Sequence, residues 1–171
     1  MLYFDAEPKE EQLKEALAIA KKGVALDDQD ALVRFTYGRA LLAQRAYGDA
    51  LAELEEALRL NPALPVVYCG LADSLAYEGR FAEAMPYFEK AISLSPHDPQ
   101  RWAFYSYGAL AHLFAKEFEQ AEQWAWKAIR IPNCHYWPFA HRVAALGHLD
   151  RKDDLCLALS ELLQRKPDFT S

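Results

Sequence analysis

The chain has 171 residues, 52% of them hydrophobic and 26% charged, with a formal net charge of −6. That balance excludes a disordered chain, the length suits one domain with a continuous core, and the acidity argues against the basic footprint of non-specific nucleic-acid binding. No stretch reaches the roughly 18 unbroken apolar residues of a membrane helix, residues 1–8 lack the basic and apolar regions of a secretory leader, and the scattered Cys69, Cys134 and Cys156 form no disulfide framework, so a cytoplasmic location is expected.

The elements, taken from the N-terminus, alternate helical runs with breakers. A first helix over 5–28 carries Ala16, Gly23 and Leu26 on one face. Residues 31–64 hold two runs, the second reading Ala50-Leu51-Leu54-Ala57-Leu58, in which apolar and small residues fall three and four apart as on one helix face. Residues 65–98 repeat the scheme, 99–135 repeat it again after an insertion, and 136–169 form a degenerate copy with Leu155 and Leu162 where small residues are usual. Tyr47-Gly48-Asp49, Glu78-Gly79-Arg80, Asn61-Pro62 and Ser95-Pro96 read as loops between the runs.

The copies are in register. Gly38, Leu41, Ala50, Leu54, Ala57 and Pro62 find Ala72, Leu75, Ala84, Phe88, Ala91 and Pro96 after 34 residues. Ala84 and Ala91 find Ala121 and Ala128 after 37, placing about three extra residues in the linker Pro96-His97-Asp98-Pro99-Gln100, and a further 34 leads from Ala109 and His112 to Val143 and Leu146. Stepping back by 34, Ala50 and Ala57 map to Ala16 and Gly23, so the first helix matches the second half of a repeat whose first half is missing. A fragment of a longer protein is expected. Each unit is an antiparallel helix pair in which Gly38 or Ala72 lets Ala50 or Ala84 approach closely, and Tyr68, Leu75 and Phe88 fill the space between units. A single pair cannot bury its apolar face, so pairs must stack.

The run Tyr68…Leu71-Ala72…Leu75…Ala84…Phe88…Ala91…Pro96 resembles the tetratricopeptide-repeat consensus, as does the run from Gly38 to Pro62. The resemblance implies an all-α, right-handed superhelical solenoid of about nine helices forming one domain over 1–171, with a concave groove that binds partner peptides or domains. Three shorter strings, around Leu94–Phe104, Pro132–Trp137 and Lys166–Phe169, look like the C-terminal repeat region of bacterial signalling proteins that carry a class III adenylate cyclase or winged-helix regulatory domain. No cyclase domain is present, so no cyclase activity is implied.

Reactive side chains are few. His141 and His148 lie seven apart, two turns of helix, and do not make the tight pairs of a zinc site; no metal and no cofactor are expected. Cys134 and His135, as neighbours on a helix, would point to different faces, while Cys69 and Cys156 sit in apolar runs and read as buried. No nucleophile elbow, phosphate loop or His-Glu-x-x-His occurs, and no enzyme activity is expected. Glu53, Glu55 and Glu56 share a helix with Arg59 and read as a solvated face. In the aromatic-rich second half, helical phase sends Tyr105 and Trp124 to the core and leaves Tyr107 and Trp126 freer to point outward.

The groove should be lined by the first helix of each pair. Phase brings Phe35, Arg39, Leu42, Cys69, Asp73, Tyr77, Ser106, Tyr107, Leu110, Phe114, Ala140 and Ala144 near it. Phe35, Tyr77 and Phe114 would supply apolar area, and Arg39 and Asp73 would orient the ligand. Tetratricopeptide domains that grip chaperone C-terminal carboxylates use Lys and Asn, where this chain has Phe35 with Arg39 and Cys69 with Asp73, so a partly apolar peptide or a helix fits better. The expected function is a non-catalytic interaction scaffold for a protein partner or for neighbouring domains of the same chain. The alternative is a homodimer formed by stacking of unfinished solenoid ends.

Overall fold

The computed structural model describes residues 10–169, so residues 5–9 of the expected first helix lie outside the described residues. Within that span the chain is all-α. Helices α1 (Glu10–Leu26), α2 (Ala31–Ala43), α3 (Tyr47–Leu60), α4 (Pro65–Tyr77) and α5 (Phe81–Leu94) belong to a first compact unit. Helices α6 (Arg101–Phe114), α7 (Phe118–Ile129), α8 (Trp137–His148) and α9 (Lys152–Arg165) belong to a second, which begins at Ser95.

Each hairpin turn uses the same device. Arg45, Gly79, Lys116 and Asp150 adopt positive φ values of 61°, 78°, 61° and 53°. At each of them two reversed hydrogen bonds close the helix end, as in Ala46 N–H to Leu41 O at 3.1 Å and Arg45 N–H to Leu42 O at 2.9 Å. Glu117 N–H to His112 O and Lys116 N–H to Leu113 O repeat the pattern at 2.9 and 3.0 Å. This is the Schellman arrangement, in which a left-handed residue lets the last carbonyls find donors. The turn before α3 is therefore Gln44-Arg45-Ala46. Tyr47-Gly48-Asp49, read from the sequence as a loop, forms the first turn of α3 instead, because the left-handed residue that ends α2 is Arg45, two residues earlier.

Packing in the first unit centres on Leu54 of α3, which is fully buried between two glycines. A Cβ built on Gly38 of α2 would lie 2.8 Å from the Leu54 side chain and 3.2 Å from Ala50 O, and one on Gly70 of α4 would lie 3.0 Å from Leu54. Small residues thus let α3 sit close to both flanking first helices. Leu54, Ala57, Val67 and Leu71 form one buried cluster, with Leu51 and Leu58 against its edge. In the second unit Gly108 plays the same part against Trp124, whose ring would be 2.4 Å from an added Cβ.

Two cysteine placements and two aromatic ones differ from the sequence reading. Cys156 is exposed, because the inward stripe of α9 runs through Ala158 and Leu162 and leaves Cys156 on the far side. Cys134 and His135 lie in the segment between α7 and α8, not on a helix, where Asn133 takes a φ of 60°. Tyr105 and Trp124 are half-buried, sharing an edge-to-face contact with centroids 5.7 Å apart.

Candidate interaction face

In the first unit, α2 and α4 carry the candidate residues. Proline at the start of α4 and an Asp30 cap on α2, whose carboxylate accepts from Leu32 N and Val33 N, set where each helix begins and hence the phase of its face. Arg39 on α2 donates from Nη1 to Asp73 Oδ2 on α4 at 2.5 Å, one repeat further along. Asp73 is buried, and burial raises its carboxyl above the usual range while the Arg39 guanidinium pulls it back. The same burial, reinforced by Asp73, pushes the Cys69 thiol well up, which makes it an inert packing group.

Tyr77, at the end of α4, is 55% exposed. Its ring stacks on Tyr47 of α3 with centroids 6.2 Å apart and planes 5° from parallel. Partial burial and the Asp73 carboxylate both raise its hydroxyl, with Arg39 opposing them, so one polar neighbourhood joins Arg39, Asp73 and Tyr77. Phe35 is half-buried against the Leu54 cluster, and Leu42 is buried with Leu41 and Ala50. Of the candidate residues in this unit, the aromatic edge of Tyr77 is the large group offered to solvent, whereas Leu42 and Asp73 face inward. Tyr47 was missed. Its signal lay in the repeat itself, since Phe118 occupies the same place two copies later and stacks on His148 of α8 with centroids 4.2 Å apart.

In the second unit Phe114 is exposed at the end of α6 and Tyr107 is half-buried. Ser106, also on α6, is buried with its Oγ 3.1 Å from His141 Nδ1 on α8. Burial drives the His141 imidazole down to about 4, partly offset by its hydrogen bonding to Ser106, so it is neutral at physiological pH. His112 Nδ1 lies 2.7 Å from Glu117 Oε2, tying the end of α6 to the start of α7. Arg142 of α8 is held by Glu122 at 3.0 Å and Glu161 at 3.4 Å, and its guanidinium lies 4.4 Å from the centroid of the outward-facing Trp126. Glu53, read as solvated, is half-buried and pairs with Arg34 at 2.8 Å.

Among the described residues no group of three or more His, Cys, Asp or Glu side chains could hold a metal ion, and no helix is long and apolar enough to cross a membrane. What the two units share is a set of antiparallel helix pairs with small-residue contacts and left-handed turns at matching positions. Tetratricopeptide-repeat family models match residues 8–65 and 65–98, together more than half the chain. The chain belongs to the tetratricopeptide-repeat family.

Solved structures agree on the fold. A chain of the APC/C Cut9–Hcn1 hetero-tetramer is 13% identical with a TM-score of 0.78, over 94% of this chain but only 30% of that one. A thermophilic repeat protein of Thermus thermophilus is 15% identical with a TM-score of 0.77, over 92% of this chain and 85% of that one. YrrB, described as having an unusual peptide-binding site, is 18% identical with a TM-score of 0.66, over 92% and 80%. Comparison with curated proteins finds no match. The narrower likeness to repeat regions of bacterial cyclase and winged-helix regulators has no support among these matches.

Proposed function

We propose that the chain is a non-catalytic interaction module that takes a partly apolar peptide or helix of a protein partner on the α2 and α4 face of its first unit. The carrying observation is Tyr77, an aromatic side chain more than half exposed yet held in one orientation by its stack on Tyr47. A rigid aromatic with a polar tip is the type of side chain that anchors interfaces, because little entropy is lost when it is covered. Phe35 adds apolar area beside it. Arg39 and Asp73, locked together beneath the face, clamp α2 to α4 and so fix the shape that a ligand would meet. Leu42 supports the face from beneath. Tyr107 and Phe114 give the second unit its own smaller aromatic surface. Repeats of this family commonly bind proteins or peptides, and YrrB is described by its peptide-binding site. The reading that the chain is the repeat region of a larger bacterial signalling protein rests on the short strings near Ser95, Pro132 and Lys166.

The test is selection of peptides from a displayed random library on the immobilised 171-residue chain, followed by calorimetry. Tyr77→Ala is expected to weaken a selected peptide by about thirtyfold, the effect of losing an anchor of roughly 2 kcal/mol. Peptides whose affinity is unchanged by Tyr77→Ala, or a library that yields none, would sink the proposal. Arg39→Glu is a poorer probe, since it strands a buried carboxylate and lowers stability as well.

A further inference from the structure

The acid excess of the chain lies in one unit. Residues 1–94 hold sixteen Asp and Glu against ten Lys and Arg, a balance of −6, while residues 95–171 hold nine against nine. Within the first unit most of the bases are already paired. Lys14 meets Glu10, Arg34 meets Glu53, Arg39 meets Asp73, Arg59 meets Glu56, and Arg80 meets Glu78 and Glu83. In the turns beside Tyr77, Arg45 and Arg80 stand against Asp49, Glu78 and Glu83, so that end of the α2 and α4 face is close to balanced. The other end is not. Asp27, Asp28 and Asp30 are exposed in the turn that leads into α2, and Arg34 lies 4.0 Å from Asp28 but 2.8 Å from Glu53, which holds it. The fold does not require these charges. The same turn in later copies reads Asn61-Pro62-Ala63-Leu64, Ser95-Pro96-His97-Asp98 and Lys166-Pro167-Asp168-Phe169, with one acid at most. Gln29 N–H donates to Asp27 Oδ1 at 3.0 Å, and Ala63 N–H donates to the uncharged Asn61 Oδ1 at the same distance.

We propose that the occupant of the α2 and α4 face is a basic peptide segment, with an aromatic or aliphatic side chain on Tyr77 and Lys or Arg side chains over Asp27 and Asp28. This rests on Tyr77 being the anchor of the face and adds the chemistry of what it takes. Helix α2 has thirteen residues, so its two ends are roughly 20 Å apart. An extended peptide covers that span in about six residues, which sets the spacing between the anchor and the first base. Between them the peptide crosses Phe35 and the internally paired Arg39 and Asp73, where a charge of its own would find no partner. Complementary charge of this kind steers encounter and selects register more than it adds affinity. An acidic peptide would be repelled at the Asp27 end. A second copy of the chain would bring the same excess of acid.

Peptides selected from the displayed library on the 171-residue chain are sorted by calorimetry into those that Tyr77→Ala weakens and those it does not. The first group is expected to carry Lys or Arg about six residues from an aromatic or aliphatic residue. Asp27→Asn with Asp28→Asn should weaken these peptides roughly fivefold at low salt, the effect of two exposed ion pairs, and hardly at all in about 0.5 M salt. The turn at Asn61 shows that the uncharged side chain keeps the fold, and an unchanged dichroism spectrum and melting temperature check it. Asp27→Lys with Asp28→Lys should invert the preference, so that a peptide whose bases are replaced by Glu binds better than its parent. Tyr77-dependent peptides without bases, or basic ones indifferent to the changes at Asp27 and Asp28, overturn this inference and leave the Tyr77 reading standing. A library with no Tyr77-dependent peptide overturns both.

Discussion

The most tightly specified residues are those with no side chain to spare. Gly108 meets the Trp124 ring so closely that Gly108→Ala must displace an indole, and a loss of about 2 kcal/mol is expected in urea denaturation. Gly147, also helical, has nothing within 4 Å of a built Cβ, so Gly147→Ala should instead gain up to about 1 kcal/mol. His141 gives the chain a pH dependence. Its imidazole titrates near 4 in the folded chain and near 6.5 when unfolded. The unfolded state therefore takes up a proton first, and stability is lost as pH falls from about 6.5 to about 4, by up to about 3 kcal/mol. Asp73, raised by burial, acts in the opposite sense over its own acidic window, since the folded chain protonates first there. Comparing urea midpoints of the parent and His141→Gln across this range isolates the histidine, and an equal acid loss in both would discount it. Neither Ser106 nor His141 could be paired from sequence, because they lie 35 residues apart on helices whose rotation is set by packing.

At the scale of the element, helices were legible and their ends were not. The three-and-four spacing of Ala50, Leu54 and Ala57 needs no tertiary information, and all three are fully buried. The turn at Arg45 was hidden, because nothing in an arginine announces a left-handed backbone. The register could have shown it, since Arg45 stands 34 residues before Gly79, where glycine makes the same turn openly. Arginine, lysine and aspartate at these sites carry a conformational cost that glycine avoids. Lys116→Gly is expected to stabilise the α6–α7 hairpin by about 0.5 to 1 kcal/mol, the gain being trimmed by the freer unfolded chain. A raised midpoint in urea with an unchanged slope would bear this out, and a lowered one would refute it. Among the candidate residues, phase brought Arg39 and Asp73 near each other, yet their bond turned a reading of two separate ligand contacts into one internal clamp.

For the whole molecule, stability should follow position along the chain, since a repeat is held chiefly by its neighbours. Helix α1 buries only Ala20 among its described residues, whereas α4 buries eight of thirteen. Hydrogen exchange is expected to be fastest in α1 and slowest in α4 within the first unit, and equal protection in both would contradict a neighbour-by-neighbour account. The 34-residue register made the helix pairing readable because each pair repeats the same local problem. The sequence was read as one domain over 1–171, and the compact units part at Leu94 and Ser95, next to the linker where the repeat step is 37 in place of 34.

Trp102, Trp124, Trp126 and Trp137 are the four tryptophans of the chain, and all belong to the second unit. Their indoles stand in different surroundings, from the edge contact of Trp124 with His112 to the guanidinium over Trp126. Intrinsic fluorescence excited at the indole band therefore watches one unit alone, while far-ultraviolet dichroism watches every helix. The molecule carries its own domain-selective optical label. A denaturation followed by both signals separates or merges the two units' transitions without adding a single dye.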